Sequence, residues 1–256
     1  MAKLPSDQSA ANPVAIITGA LAGIVRATAF AFAAEGYRVV ISGRNDEAGY
    51  ALLEELRISG AECDFVRADV RFESEVANLI DKTIERFGQL DAAVNNAGID
   101  GKFGPISVQD EETYKTVFDA NVLGTLLCMK HELRVMQLQG FGCIVNISST
   151  MGIKGAPNAS VYTGSKHAVE GITKSIALEA APRGVRVNAV APGPVQTEMF
   201  NRITADEEGK KATIQGVPMK RVGTVEEIAR MIVFVGSDRV PFMTGEIVRV
   251  NGGKTA

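Results

Sequence analysis

Tyr162 and Lys166 are four residues apart in the sequence and could form a proton-transfer pair. Residues with this spacing share one face of a helix, so their side chains can meet. A lysine ammonium beside a phenol favours the phenolate and lowers the pKa of the tyrosine. Such a tyrosine can exchange a proton with an alcohol or a carbonyl. The same spacing also occurs in helices that merely bury a ring beneath a solvated lysine, so the context of the motif decides its meaning.

That context is a repeated alternation of short apolar, β-branched runs with helical patterns. The predicted strands are Val14–Thr18, Arg38–Ser42, Asp64–Arg67, Asp91–Asn95, Cys143–Ser148, Arg186–Val190 and Ile247–Val250. Strict alternation of strands and helices predicts an α/β fold of parallel strands with helices on both faces. The chain has no linker-like composition and no internal repeat. We therefore expect a single domain over residues 1–256, with a polar N-terminal extension at 1–12.

Two long stretches interrupt this alternation. Asp110–Gln139 has the pattern of one long helix, and Val195–Thr224 is a long connection with short helices of its own. Long excursions at the carboxyl ends of strands usually serve function in such folds. We expect the stretch from about 195 to 224 to be a substrate lid.

Composition excludes several classes of function. The net charge is -3 and no long basic run occurs, so nucleic-acid and membrane-surface partners are not expected. The start of the chain lacks the apolar segment of a signal peptide, and no apolar run reaches the roughly 18 residues of a membrane span. Three cysteines and two histidines without ligand spacing predict no disulfide framework and no metal site, which fits the cytoplasm.

A glycine-containing turn follows the first predicted strand. Gly19 and Gly23 lie in the segment Thr18–Val25, directly before a helical pattern. Such a turn lets the backbone approach a pyrophosphate at the start of a helix. An ordinary turn between a strand and a helix could also contain these glycines, so the motif is informative only with others.

Read in order, the motifs resemble the short-chain dehydrogenase/reductase family over nearly the whole chain, in particular ketoreductases and 3-oxoacyl reductases. The matching motifs are Thr18-Gly19-x-x-x-Gly23, Asp69-Val70, Asn95-Asn96-Ala97-Gly98, Asn121, Ser149 with Tyr162 and Lys166, and Pro192-Gly193-Pro194-Val195-Gln196-Thr197. The resemblance implies a doubly wound Rossmann fold with a seven-stranded parallel sheet, usually assembled as a homotetramer. A small-molecule carbonyl or alcohol would be the substrate.

The resemblance also implies four catalytic residues. Tyr162 would be the acid that protonates a carbonyl oxygen, and the base in alcohol oxidation. Lys166 would lower the pKa of Tyr162 and hold the nicotinamide ribose. Ser149 would hydrogen-bond the substrate oxygen, although Ser148 is an alternative that strand alternation disfavours. Asn121 would hold a water leading from Lys166 to solvent, or it could simply bond to backbone.

The implied cofactor contacts lie after five of the strands and on one helix. They are Gly19, Gly23, Ile24, Arg44, Asp69, Val70, Asn95, Ala97, Gly98, Tyr162, Lys166, Pro192, Gly193, Val195 and Thr197. Asp69 would accept from the adenine amino group, or could serve only as a carboxylate at a helix start. Gly43 stands where an acidic residue would bind the ribose of NAD, and Arg44 suits a 2′-phosphate. NADP(H) is therefore preferred and NAD(H) possible, unless Arg44 is only a solvated surface residue.

Val25 is the one departure from the family pattern, which has a third glycine at that place. A β-branched side chain there predicts crowding of the cofactor and weaker binding. The rest of the motif set is intact, so we expect binding to be reduced and not lost.

Four apolar residues, Met151, Ile153, Met199 and Phe200, are predicted to line the substrate pocket and favour an apolar carbonyl compound. The leading hypothesis is an NADP(H)-dependent ketone reductase that also works as an alcohol dehydrogenase. Reduction of 3-oxoacyl thioesters is an alternative. A different class of function, a nucleotide-binding regulator or scaffold with impaired turnover, would be favoured by Val25 and disfavoured by the four intact catalytic residues.

Overall fold

The computed structural model describes residues 12–19, 21–204 and 206–256. The polar extension predicted at 1–12 therefore lies outside the described residues, except for Asn12. Over the described ranges, no helix combines the length and hydropathy needed to cross a bilayer. In the same ranges, no group of three or more His, Cys, Asp or Glu side chains is arranged to hold a metal ion.

The described chain contains one seven-stranded parallel sheet with the strand order β3-β2-β1-β4-β5-β6-β7. The strands are β1 (Val14–Thr18), β2 (Arg38–Gly43), β3 (Cys63–Arg67), β4 (Ala92–Asn95), β5 (Gly142–Ile147), β6 (Val185–Pro192) and β7 (Ile247–Val250). This order is doubly wound, because the chain reverses direction across the sheet between β1 and β4. The predicted fold class is confirmed, and most strand limits shift by one or two residues.

Helices connect the strands and cover the sheet. They are α1 (Gly23–Ala34), α2 (Asp46–Ile58), α3 (Glu73–Phe87), α4 (Glu111–Phe118), α5 (Gly124–Gln139), α6 (Ser160–Ala180), α7 (Glu198–Thr204), α8 (Glu207–Gln215) and α9 (Val225–Gly236). The prediction of one long helix from Asp110 to Gln139 is wrong in one respect. A π-helical turn, Asp119–Leu123, separates α4 from α5.

The described core has two large apolar clusters, one on each face of the sheet, and a third, small cluster of Val70, Val76, Leu127 and Cys128. Alternate residues of β1 enter different clusters, since Ile17 packs with Phe32 of α1 and Ile16 packs with Met129 of α5. Successive side chains of a strand point to opposite faces, so a strand covered on both faces must be apolar throughout. All five residues of β1 are buried, which explains why four of them, Val14–Ile17, are apolar.

A network of hydrogen-bonded polar side chains lies in the interior, beside the apolar cluster that contains Ile16 and Met129. Glu132 of α5 is buried, and its Oε2 accepts a hydrogen bond of 3.0 Å from Asn95 Nδ2. The same Asn95 amide donates to Asn146 Oδ1, and Asn146 in turn donates to Thr173 Oγ1 at 2.9 Å. Among the described residues, Glu132 Oε1 has no hydrogen-bond partner. Burial raises the pKa of Glu132 to about 8, because the charged form loses its hydration.

This raised pKa predicts a pH-dependent stability that Glu132→Gln removes. The folded chain keeps a proton on Glu132 up to about pH 8, whereas an unfolded chain releases it near the ordinary value of 4.5. Protonation therefore favours the folded state, and the free energy of unfolding should fall as pH rises from about 4.5 to 8. The slope from this one group is at most about 1.4 kcal/mol per pH unit.

Urea unfolding at several pH values, compared between the wild-type protein and Glu132→Gln, measures this effect. A glutamine has the shape of the protonated acid and does not titrate, so its variant should lose stability less steeply over that window. Parallel pH profiles for the two proteins would show that Glu132 titrates normally.

Candidate functional site

Tyr162 and Lys166 lie one turn apart on α6, as the sequence predicts. Lys166 is buried, and its Nζ lies 5.7 Å from the centre of the Tyr162 ring. The same Nζ donates a hydrogen bond of 2.9 Å to the carbonyl oxygen of Ile147, the last residue of β5. This bond places the Tyr162 face of α6 against the carboxyl end of β5.

Ser149, and not Ser148, faces the tyrosine. The Ser149 side chain lies near enough to Tyr162 to lower the pKa of the phenol, and its Oγ accepts from the Met151 backbone N–H at 3.2 Å. Ser148 turns into the protein and donates to Glu170 Oε1 at 2.9 Å. Strand alternation thus separates the two hydroxyls, one to the site and one to the interior.

The pKa of Tyr162 moves in the direction opposite to the one expected from the sequence. Burial raises this pKa to about 12, the hydrogen bond with Ser149 opposes the rise, and the negative charge of Asp100 adds to it. Burial also lowers the pKa of Lys166 to about 8. Burial is the largest cause of both shifts, and the tyrosine is a protonated phenol at neutral pH that can donate its proton.

The π-helical turn places Asn121 between this pair and the loop after β4. Asn121 is 1% exposed. Its Oδ1 accepts from the Ile99 N–H at 2.8 Å, and its Nδ2 donates to the Ile99 carbonyl at 2.9 Å and to Ser165 Oγ at 3.0 Å. The side chain therefore bonds to protein groups on both sides, as in the backbone-binding alternative. Its role in a water path to Lys166 stays a prediction.

A cavity of about 650 Å³ opens at the carboxyl ends of β1 to β4. Six of the predicted cofactor residues line it, together with others that the sequence did not single out. The predicted ones are Gly19, Arg44, Asp69, Val70, Ala97 and Gly98. The others include Leu21 and Arg71. The volume is in the range of about 300–1,000 Å³ that is usual for small-molecule sites.

Two glycines allow neighbouring segments of the chain to approach each other closely beside this cavity. Gly19 has a φ of +73°, and a Cβ on it would lie 2.8 Å from the Ala97 Cα. A Cβ on Gly43 would lie 2.8 Å from the side chain of Leu21. Only glycine fits at position 19, where the backbone of Ala97 is the neighbour, whereas a side chain at position 43 would require Leu21 to move. Small residues here let a nucleotide lie along the ends of the strands.

Two arginines flank one carboxylate at the rim of the cavity. Arg71 holds Asp69 through Nε–Oδ1 and Nη2–Oδ2 bonds of 3.0 and 2.6 Å. Hydrogen bonding to Arg71 holds the pKa of Asp69 below its usual range. Arg44 lies further away, with Nη1 at 3.9 Å from Asp69 Oδ2, and its side chain is 60% exposed. The sequence analysis missed Arg71, because only the fold brings it beside Arg44.

The other residues predicted to bind the cofactor are not among those described as lining this cavity. A Cβ on Gly23 would approach the Thr197 methyl to 3.3 Å, so the start of α1 meets the segment after β6. Pro192 ends β6, and Gly193 N–H donates to the Val250 carbonyl at 2.9 Å. Val195 is buried and Ile24 half-buried. Asn95 does not join the described lining of the cavity, since its amide points inward to Glu132.

The predicted substrate residues differ in exposure. Phe200 is buried, Met151 and Met199 are half-buried, and Ile153 is exposed. A further aromatic residue, Phe103, has its ring centre 6.5 Å from that of Tyr162. The predicted lid contains α7 and α8, and its Arg202 forms an ion pair of 3.2 Å with Asp100.

Val25 is 3% exposed and belongs to the apolar cluster between α1 and the sheet. It is not among the described residues that line the cavity. The side chain packs in the core in this structure. The weaker cofactor binding that the sequence suggested for this position stays a prediction.

A doubly wound parallel sheet with a glycine turn after β1 and a Ser-Tyr-Lys cluster at the end of β5 is typical of nucleotide-dependent oxidoreductases. Residues 19–255 match the family described as enoyl-(acyl carrier protein) reductase. The chain belongs to the short-chain dehydrogenase/reductase family, as the motifs predicted.

Similar proteins from several bacteria align over nearly their whole length. An uncharacterized oxidoreductase of Thermotoga maritima is 41% identical over 247 residues, which are 95% of this chain and 97% of that protein. The cis-4-hydroxycyclohexanecarboxylate dehydrogenase of Sinomonas cyclohexanicum is 40% identical, with coverage of 96% and 98%. The 3-oxoacyl-[acyl-carrier-protein] reductase of Staphylococcus epidermidis is 36% identical, with coverage of 94% and 98%.

Solved structures agree in fold and differ in cofactor. A variant of actinorhodin polyketide ketoreductase with NADPH has a TM-score of 0.91 and 35% identity, covering 95% of this chain and 97% of that one. An NAD+-bound xylitol dehydrogenase has a TM-score of 0.91 and 33% identity, covering 94% and 98%. Fold similarity alone therefore does not choose between the two cofactors.

We predict that Val25→Gly destabilises the protein without improving its affinity for NADPH. The change removes a buried valine side chain, worth about 1.5–3 kcal/mol, and places glycine in a helix at a further cost of about 1 kcal/mol. Chemical unfolding measures the loss of stability, and fluorescence titration measures the NADPH affinity.

Val25→Ala is the matched control, because it shortens the side chain but keeps a good helix former. Its stability should lie between that of the wild-type protein and Val25→Gly. Tighter NADPH binding in both variants would revive the crowding argument drawn from the sequence.

Proposed function

We propose that the protein is an NADP(H)-dependent reductase of ketones that also oxidises the corresponding secondary alcohols. The observation that carries this proposal is the placement of Ser149 beside Tyr162, with the buried Lys166 next to the same ring. Two hydroxyl groups that converge on one point can both donate to a single carbonyl oxygen.

In this mechanism, Ser149 orients the carbonyl oxygen and Tyr162 gives it a proton as negative charge develops there. When bound, the nicotinamide supplies the hydride in reduction and accepts it in oxidation. The Lys166 ammonium stabilises the phenolate that remains after proton donation. The raised pKa of Tyr162 keeps the acid protonated at neutral pH, which suits the direction of reduction.

The preference for NADP(H) is supported by charge at the rim of the cavity. Gly43 offers no carboxylate to the adenosine ribose, while Arg44 and Arg71 both line the cavity. Guanidinium groups bind phosphate through paired N–H donors. Arg71 is committed to Asp69, so the exposed Arg44 is the residue proposed to contact the 2′-phosphate.

The class of substrate is proposed from the apolar residues near the site. Half-buried methionines beside Phe103 and Phe200 suit an apolar ketone. A panel that also contains 3-oxoacyl thioesters decides between the two substrate classes of the sequence analysis. The homotetramer and the cytoplasmic location stay predictions from the sequence.

Tyr162→Phe should lower the rate of ketone reduction by about 10²–10⁴-fold, because it removes the proposed proton donor. The affinity for NADPH should change little, since the ring remains. Oxidation of NADPH at 340 nm and fluorescence titration measure the two quantities. Tyr50→Phe is the control, because Tyr50 is an exposed tyrosine on α2. Full activity in Tyr162→Phe would refute the role of Tyr162 as proton donor. Binding of NADPH by the wild-type protein without turnover of any ketone would favour the regulator hypothesis.

Arg44→Ala should weaken binding of NADPH by roughly tenfold or more and leave binding of NADH nearly unchanged. A hydrogen bond to a charged group contributes about 1.5–3 kcal/mol, and only NADPH carries the 2′-phosphate. Isothermal titration with both nucleotides tests this difference. Arg57→Ala serves as control, since Arg57 lies on the exposed side of α2 and pairs with Glu54. Equal losses for the two nucleotides would contradict the assignment.

A further inference from the structure

A third ionisable residue, Glu170, follows Tyr162 and Lys166 along α6. The three are spaced four residues apart, so they lie along the same side of the helix. Glu170 is 4% exposed and faces the interior beneath the site. It has no place in the proposed proton transfer, and a carboxylate is costly to bury without full hydrogen bonding.

Both carboxylate oxygens of Glu170 have partners. Oε1 accepts from Ser148 Oγ at 2.9 Å, and Oε2 accepts from Arg249 Nη2 on β7 at 3.0 Å. The Ser148 backbone N–H donates to the Val190 carbonyl of β6 at 2.8 Å. Glu170 thus joins α6 and β7 to the residue directly before Ser149.

The turn that carries Ser149 rests directly on this carboxylate. Residues Thr150–Gly152 form a 3-10 turn, which Ser149 caps by accepting from the Met151 N–H. A Cβ on Gly152 would lie 2.2 Å from Glu170 Oε1 and 2.5 Å from Ser148 Oγ. Both ends of the turn are therefore in contact with the Glu170–Ser148 pair.

We propose that Glu170 is a positioning residue that fixes the Ser149 turn, acting through Ser148 and Gly152 and anchored by Arg249. This inference rests on the proposed function, in which Ser149 orients the substrate oxygen. Glu170 touches neither substrate nor cofactor in this scheme. It sets the distance between the two hydroxyls, one on the turn and one on its own helix.

The expected effect of Glu170→Gln is a fall of about tenfold or more in kcat/KM for the ketone, with NADPH affinity unchanged. Misplacing a reacting group by about 1 Å can cost roughly 10²-fold. Glutamine keeps the shape but gives Arg249 no charged partner. Ser148→Ala, which removes the other link and keeps the ion pair, should lower kcat/KM in the same way.

A double-mutant cycle with Ser149→Ala separates positioning from general damage. If Glu170 acts through Ser149, Glu170→Gln should have little further effect once Ser149 is alanine. Glu179→Gln is the matched control, an exposed glutamate on the same helix. Losses that multiply in the double variant would overturn the proposal, as would normal kcat/KM in both Glu170→Gln and Ser148→Ala.

Hydrogen exchange gives a second readout that needs no turnover. The Met151 and Gly152 amides donate to Ser149 Oγ and to its carbonyl, at 3.2 and 2.9 Å. Both amides should exchange faster in Glu170→Gln than in the wild-type protein or in Glu179→Gln. Unchanged exchange would overturn the role of Glu170. A wild-type protein without activity on any carbonyl would instead count against the proposed function alone.

Discussion

The hydrogen bond from Lys166 to the Ile147 carbonyl holds the site together, because it joins the two elements that carry the reacting groups. Tyr162 comes from α6, and Ser149 follows β5. A buried amine needs an acceptor, and the carbonyl of Ile147, the last residue of β5, supplies one. The lysine thereby has a structural duty as well as a chemical one, and its burial lowers its pKa to about 8.

The interior on this side of the sheet is unusually polar. Glu132 links α5 to β4 and β5 through Asn95 and Asn146, while Glu170 links α6 to β7 and the Ser149 turn. The two carboxyl groups differ in their surroundings. Glu170 faces an arginine, whereas burial raises the pKa of Glu132 to about 8. Packing alone would not fix the relative positions of these elements as tightly as directed hydrogen bonds do.

Much of the fold was predictable, because strands buried on both faces are mostly apolar, as β1 is over Val14–Ile17. The choice of Ser149 over Ser148 followed from the two-residue period of a strand. The raised pKa of Tyr162 was not predictable, since its cause is burial by residues distant in sequence. Arg71 and Glu170 escaped notice for the same reason. For Val25, the motif gives a position in the chain but not the direction of the side chain, and the structure places that side chain in the core.

The π-helical turn at Asp119–Leu123 has a geometric consequence for the helix that follows it. Such a turn holds one residue more than an α-helical turn, and each residue of an α-helix turns the chain by about 100°. The turn thus rotates α5 about its axis relative to α4, and this rotation directs Glu132 inward. The number of residues between the two helices is therefore under as strict a constraint as their identity, and removing any one of them would turn the whole of α5 away from its partners.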